Sequence, residues 1–187
     1  MGGHFKMEKI SIFIDGNNFY HGLKYIYEDS RKTIDFNFEK FLEFIAHGRE
    51  IEDIFYYNAQ LDKIKNISKF ESQQRFFDNL KKIPNFTLVL CKLLKRKIKG
   101  TKKYYYVLKE DDIHMAVDMV DGSADNNFDI AILVSGDGDF VPAVCSVKRR
   151  NKKVENIYFK GSSSRNLKNH CDKSLELTKE ILNDFFD

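Results

Sequence analysis

The feature that most constrains the fold is a local pattern used twice. A short run of mostly β-branched residues ends in a small acidic turn and passes straight into a helical segment. Residues 10–14 (Ile-Ser-Ile-Phe-Ile) lead into Asp15, Gly16, Asn17 and Asn18, and residues 130–134 (Ile-Ala-Ile-Leu-Val) lead into Ser135, Gly136, Asp137, Gly138 and Asp139. Junctions of this kind mark a strand feeding a helix across a tight turn. Residues 54–57, 86–90 and 104–107 are further strands between them, and residues 154–159 follow. Strands that are apolar throughout are buried on both faces, as parallel strands are.

Helical patterns alternate with these strands over residues 18–27, 38–47, 67–82, 111–120 and 140–150. The alternation predicts an α/β fold, a three-layer α/β/α sandwich with a mainly parallel central sheet. In the fourth helix, Ile113, Ala116, Val117 and Val120 have the spacing that lines one face of a helix. Residues 161–165 read as a loop, 174–177 as a short edge strand and 178–186 as a closing helix. A chain of 187 residues fits one domain, expected over residues 8–187. Residues 1–6, ahead of Met7, are expected to be a cloning remnant and are set aside.

Charge excludes less than it first promises. Lys and Arg number 31 against 28 Asp and Glu, a balance of +3 that is no nucleic-acid footprint unless it is concentrated locally. Cys91, Cys145 and Cys171 are far apart and form no CxxC pair, which argues against a disulfide framework or a zinc knuckle and for a reduced, cytoplasmic protein. The longest apolar runs are of strand length, far short of the ~20 residues that span a bilayer. Neither a membrane span nor a secretory signal is expected.

Ligands of open α/β sheets bind beyond the carboxyl ends of the strands, and this chain puts acids at three such places. Asp15 ends the first strand, Asp111 and Asp112 open the helix after residues 104–107, and Asp137 with Asp139 follow residues 130–134. If these strands are parallel neighbours, the carboxylates converge. Converging carboxylates must share protons or be neutralised by a cation, and hard oxygen donors without histidine favour Mg²⁺ or Mn²⁺. Each acid also has a plainer reading, since Asp is a preferred helix N-cap and is favourable in a first turn. Asp118, six residues beyond Asp112, points about 120° away around the helix and ~9 Å further along it, where a structural ion pair is at least as good an account.

Two other readings fail on the residues. Gly136 to Val141 imitates part of a dinucleotide fingerprint but lacks its third glycine, and its two carboxylates would repel a pyrophosphate. An aspartyl phosphotransferase would need a second acid two residues after Asp15, where the chain has Asn17. The histidines His21, His47, His114 and His170 share no metal-ligand spacing.

Three blocks resemble, in order, the signature blocks of NYN domains, the LabA-like branch of the PIN-like nucleases. They are Phe13-Ile-Asp-Gly-Asn-Asn-Phe19, Lys109-Glu-Asp-Asp-Ile-His-Met-Ala-Val-Asp-Met119 and Leu133-Val-Ser-Gly-Asp-Gly-Asp-Phe-Val-Pro142, with a weaker fourth match over residues 164–177. The resemblance implies a PIN-like, Rossmann-like α/β/α fold and Mg²⁺- or Mn²⁺-dependent hydrolysis of RNA. It implies Asp15, Asp112 and Asp137 as the acidic core, Asp139 and Asp118 in or beside it, and Asn17, Asn18 and Ser135 as supporting polar positions. Glu110-Asp111-Asp112 stands where the family often has Gly-Val-Asp, so either Asp111 or Asp112 is the inward acid; the register of Ala116 to Met119 favours Asp112.

One local basic patch does exist. Residues 92–103 contain Lys92, Lys95, Arg96, Lys97, Lys99, Lys102 and Lys103 and no acid, and Tyr104, Tyr105 and Tyr106 follow at once. Gly100 and Thr101 between two runs predict a protruding hairpin. Cations interleaved with aromatics suit single-stranded RNA, with phosphates on Lys95, Arg96, Lys97, Lys99, Lys102 and Lys103 and bases stacked on tyrosine. Strand alternation makes at least one of every two tyrosines a core residue in the plainer reading. A second basic run, residues 148–153, ends a helix, where it can simply complement the dipole. The functional expectation is a metal-dependent ribonuclease; the alternative is an RNA-binding regulatory module with little turnover. The edge at residues 174–177 and the terminal Phe185 and Phe186 could pack on the same domain or on a second copy as a homodimer.

Overall fold

The computed structural model describes residues 7–64, 66–101, 104–162 and 164–186. Among the described residues seven strands form one sheet: β1 (Lys9–Asp15), β2 (Glu50–Ala59), β3 (Phe86–Lys97), β4 (Tyr104–Lys109), β5 (Ile130–Val134), β6 (Lys153–Phe159) and β7 (Lys173–Leu177). Their spatial order is β4-β3-β2-β1-β5-β6-β7. All neighbours are parallel except β3 and β4, which pair antiparallel. The α/β/α architecture expected from the alternation is present.

Both faces are covered. The even residues Ile10, Ile12 and Ile14 of β1 pack with Phe19 and Leu23 of α1 (Gly16–Tyr27), Phe41 and Ile45 of α2 (Phe38–Ala46), Phe76 and Phe77 of α3 (Ile67–Leu80) and, through the same core, Leu182 of α7 (Lys179–Asn183). On the opposite face, Phe13 and Leu133 pack with Met115 and Met119 of α4 (Asp111–Ala124), Val144 and Val147 of α5 (Val141–Lys148) and Leu167 of α6 (Arg165–His170). The two-residue period of a strand thus divides β1 between two cores. Among the described residues no helix is long and apolar enough to cross a membrane.

Several expectations need correction. The buried face of α4 is Met115, Met119 and Ser123, with Ala116 and Val120 half-buried, while Ile113 and Val117 are 69% and 49% exposed. Apolar residues occur on more than one side of this helix, so periodicity alone chose the wrong stripe. Strand β3 runs on to Lys97 because its charged half pairs with β4 instead of entering the core. Within the expected loop at 161–165, Ser164 caps α6, its Oγ accepting from Leu167 N at 3.3 Å. The closing helix ends at Asn183. Phe185 and Phe186 turn back into their own domain: Phe186 bridges Phe36, and Phe185 packs on Phe36, Phe41 and Phe44. At 3% and 8% exposure they offer nothing to a second copy.

Candidate active site

The strand order reverses direction at β1. Its two neighbours, β2 and β5, lead the chain to opposite sides, which makes the crevice beyond the carboxyl ends of β1 and β5 the topological switch point of the sheet. Asp15 and Asp137 stand there.

Asp15 is the best fixed of the acids. It is only 7% exposed, and both of its oxygens are occupied: Oδ1 accepts from Asn18 N at 2.9 Å and Oδ2 from Ser135 Oγ at 3.0 Å. The first bond is the N-cap of α1, so the capping reading and the site reading hold together for this residue. Ser135 Oγ also accepts from Asp137 N at 3.2 Å, and Asn18 Oδ1 accepts from Gly136 N at 3.3 Å. These bonds lock the turn after β1 to the turn after β5. Asp137 Oδ1 in turn accepts from Asp139 N at 2.9 Å and caps a 3-10 turn over Gly138–Phe140.

Two glycines make the turns possible. A Cβ on Gly16 would lie 2.6 Å from both the Tyr56 ring and the Tyr57 carbonyl oxygen, and one on Gly136 would lie 1.9 Å from the Ser162 carbonyl oxygen. The chain after β6 therefore crosses directly over Gly136, and Ser164 N donates to its carbonyl at 2.8 Å. Asn156, on β6, was not expected: it is 1% exposed, and its Nδ2 donates to Leu133 O at 3.1 Å and Ser135 O at 2.8 Å, fixing the end of β5 from the side. In sequence it stands beside Glu155 at the polar start of β6, with nothing to set it apart.

The third pair enters on α4, whose first turn carries Asp111 and Asp112 after Glu110 in a left-handed conformation (φ 75°). Burial pushes the Asp15 carboxyl up to about 6, with the charges of Asp111 and Asp137 adding to it and the bonds from Asn18 and Ser135 opposing it. Asp112 is also pushed up to about 6, by loss of water and then by the charges of Asp111, Asp15, Asp137 and Asp139. Asp111 is raised by the same desolvation and by Asp137, with Lys109 opposing. Asp111 is half-buried and Asp112 more open, yet each senses Asp137. Cys91 lies against the same group, and burial followed by the charges of Asp111, Glu110, Asp112 and Asp118 pushes its thiol up to about 11.

Asp118 takes a different role from either one expected. Its Oδ2 accepts from the buried Tyr57 hydroxyl at 2.8 Å, so a hydrogen bond from a hydroxyl stands in place of an ion pair. Asn17 is exposed at the rim. The donor set at the switch point is of hard carboxylate oxygens held together against their own repulsion, which fits a divalent cation such as Mg²⁺. Among the described residues no three His, Cys, Asp or Glu side chains are already grouped to hold such an ion.

The basic arm overhangs this edge. Asp15 is in register with Tyr57 and Tyr57 with Val89, so β3 continues eight residues past the acids before it ends at Lys97, about 26 Å if fully extended. Lys95 Nζ sits 4.4 Å above the Tyr104 ring, and the pairing of Arg96 with Tyr105 and Lys97 with Tyr104 forms the hairpin. Tyr104 and Tyr105 are 50% and 47% exposed, neither in the core, because the arm has left the body of the sheet. Lys99 is exposed, and Lys102 and Lys103 lie outside the described residues. β4 returns to Glu110 and delivers the chain to Asp111. Both ends of the second basic run are paired locally, Lys148 with Asp172 at 3.0 Å and Lys153 with Glu8 at 2.9 Å.

Comparison with known proteins agrees with this architecture. The chain is 26% identical over 176 residues to the low amplitude and bright protein LabA of Synechococcus elongatus, a match covering 92% of this chain and 86% of LabA. A crystal structure of VPA0982 from Vibrio parahaemolyticus, a protein of unknown function, superposes with a TM-score of 0.71 at 24% identity, covering 97% of this chain and 99% of that one, and so shares the fold. The family model for the NYN domain matches residues 9–178, from the first residue of β1 to the one after β7. With that span matched, the chain belongs to the NYN domain family of PIN-like nucleases.

Proposed function

We propose that this protein is a metal-dependent ribonuclease that hydrolyses phosphodiester bonds of single-stranded RNA at the switch point of its sheet. The observation that carries the reading is the gathering of Asp15, Asp111, Asp112 and Asp137 around one edge, where repulsion and burial raise the Asp15 and Asp112 carboxyls to about 6. Family membership supports nuclease chemistry at that edge.

Asp15, Asp112 and Asp137, with Asp139 beside them, would hold Mg²⁺ or Mn²⁺. When bound, such an ion neutralises a phosphate oxygen and makes an attacking water more acidic. Asp15 is the rigid member, because Ser135 and Asn18 leave its carboxylate one orientation. Asp112 is more open, and the neighbouring charges of Asp111, Asp15, Asp137 and Asp139 that help raise its carboxyl to about 6 are those a bound cation would offset. The arm binds the strand ahead of the cut: Lys95, Arg96, Lys97 and Lys99 neutralise phosphates, and the exposed Tyr104 and Tyr105 offer ring surface for bases to stack on. Incubation of labelled single-stranded RNA with the protein in Mg²⁺, Mn²⁺ or EDTA tests the reading, which requires cleavage in the first two and none in the third.

A second reading rests on the arm alone: an RNA-binding regulatory module with little turnover. It predicts RNA affinity that survives loss of Asp15 and no cleavage under any metal condition.

A further inference from the structure

A cavity of about 180 Å³ opens at the opposite end of α4 from the acid edge, between that helix and the first halves of β1 and β2. Four carboxylates line it. Asp118, Asp121 and Asp125 follow one another at helical spacing along a single face of α4 and into its C-cap, a row about 10 Å long. Asp53 faces them from β2, its carboxyl raised by burial and by the charge of Glu52.

Among the described residues no cationic side chain answers this charge. Among the described residues Asp53, Asp121 and Asp125 have no ion-pair partner, and the nearby lysines are committed elsewhere, Lys9 to Glu52 at 2.7 Å and Lys152 to Asp129 at 3.7 Å and to Asn126. Ser11 gives an independent sign of a missing ligand. It is 1% exposed and lines the cavity, and among the described residues its Oγ has no hydrogen-bond partner. A buried hydroxyl left in that state is unfavourable, and a donor entering the cavity would relieve it.

The walls say what kind of donor. Phe55 lies over Phe13 with centroids 5.3 Å apart and planes 14° apart, and Phe128 meets Phe13 edge-on at 5.9 Å. An aromatic floor beneath carboxylates suits an organic ammonium, whose charge is attracted to ring faces and whose methylenes are accepted by apolar walls. A hydrated metal ion gains nothing from those rings. The row of three carboxylates leading out of the cavity calls for more than one positive charge in line.

We propose that this cavity binds a linear polyamine, one ammonium seated between Asp53, Asp118 and Ser11 Oγ and the next on Asp121 and Asp125. The proposal is independent of the nuclease reading, since it uses none of the residues at the acid edge. Calorimetric titration of the full-length protein with spermidine tests it, with n-butylamine and Mg²⁺ as comparison ligands. The expected result is saturable spermidine binding that weakens about tenfold in the Asp121→Asn, Asp125→Asn double variant, as two lost exposed ion pairs would give. It weakens also in Ser11→Ala and is unchanged in Asp15→Asn. Absence of binding overturns the proposal, and so does equal weakening by Asp15→Asn, which would mean diffuse attraction to an acidic surface. Equally tight butylamine would mean a site for a single ammonium, and Mg²⁺ binding lost in the same variants would mean an inorganic cation site; either overturns the polyamine.

Discussion

The Ser135 hydroxyl donates to Asp15 Oδ2 across 3.0 Å and at the same time accepts from the backbone of Asp137. One small side chain therefore helps, with the Asn18–Gly136 bond, to tie the turn after β1 to the turn after β5. Ser135→Ala should lower stability by on the order of 1–3 kcal/mol, because it strips a buried acceptor of its donor. It should also raise the Asp15 pKa further, since the lost bond favoured the charged form. Urea denaturation and carboxyl-selective NMR titration measure the two effects.

The acid edge makes stability depend on pH in an unusual direction. The Asp15 carboxyl goes from an ordinary 3.8 to about 6 in the fold, so between those values the folded chain holds more protons than the unfolded one. Its contribution is full below about pH 4 and is lost as pH rises through 6. With EDTA present, the stability of Asp15→Asn minus that of wild type should grow from pH 4 to pH 7, by up to about 3 kcal/mol for a shift of this size. Glu155, held low by Arg49 and Lys173, acts the other way and cancels in the difference. A difference that is flat with pH would refute the raised carboxyl.

Gly136→Ala should be far more damaging than Gly100→Ala. The added Cβ at 136 meets the Ser162 carbonyl oxygen at 1.9 Å, whereas at 100 it meets nothing within 4 Å and only the positive φ of 79° opposes it. Losses of about 3 kcal/mol or more against about 1 kcal/mol are expected in thermal melts.

Replacing Lys95 and Lys97 by Ala should reduce RNA affinity and flatten its salt dependence, by about 0.7 in the log-log slope for each phosphate contact removed. Both side chains project from the arm, so melting temperature should not move. Filter binding over a series of salt concentrations, with melts in parallel, checks both statements.

The sheet was legible because β1 and β5 carry uninterrupted apolar runs closed by acidic turns, a pattern that local chemistry dictates. The placement of Asp15 and Asp137 at one edge followed from that pattern plus parallel pairing. What was illegible depended on contacts between distant parts of the chain. Nothing near Asp118 in sequence announces the Tyr57 hydroxyl that binds it, and Met115 and Met119 face the core although Ile113 and Val117 are as apolar. Asn156 supports β5 from a strand whose alternation gave no hint of function. The exposure of Tyr104 and Tyr105 reflects how far the arm extends, which residue type does not encode.

If the carboxylates at the switch point cut RNA with a divalent ion, a 5′-labelled single-stranded RNA incubated with wild type and Asp15→Asn, side by side in Mg²⁺, Mn²⁺ and EDTA, separates the two proteins. Wild type should cleave it unless EDTA is present, and Asp15→Asn should bind the RNA without cleaving it. Equal cleavage by both proteins, or cleavage that persists in EDTA, would contradict that mechanism.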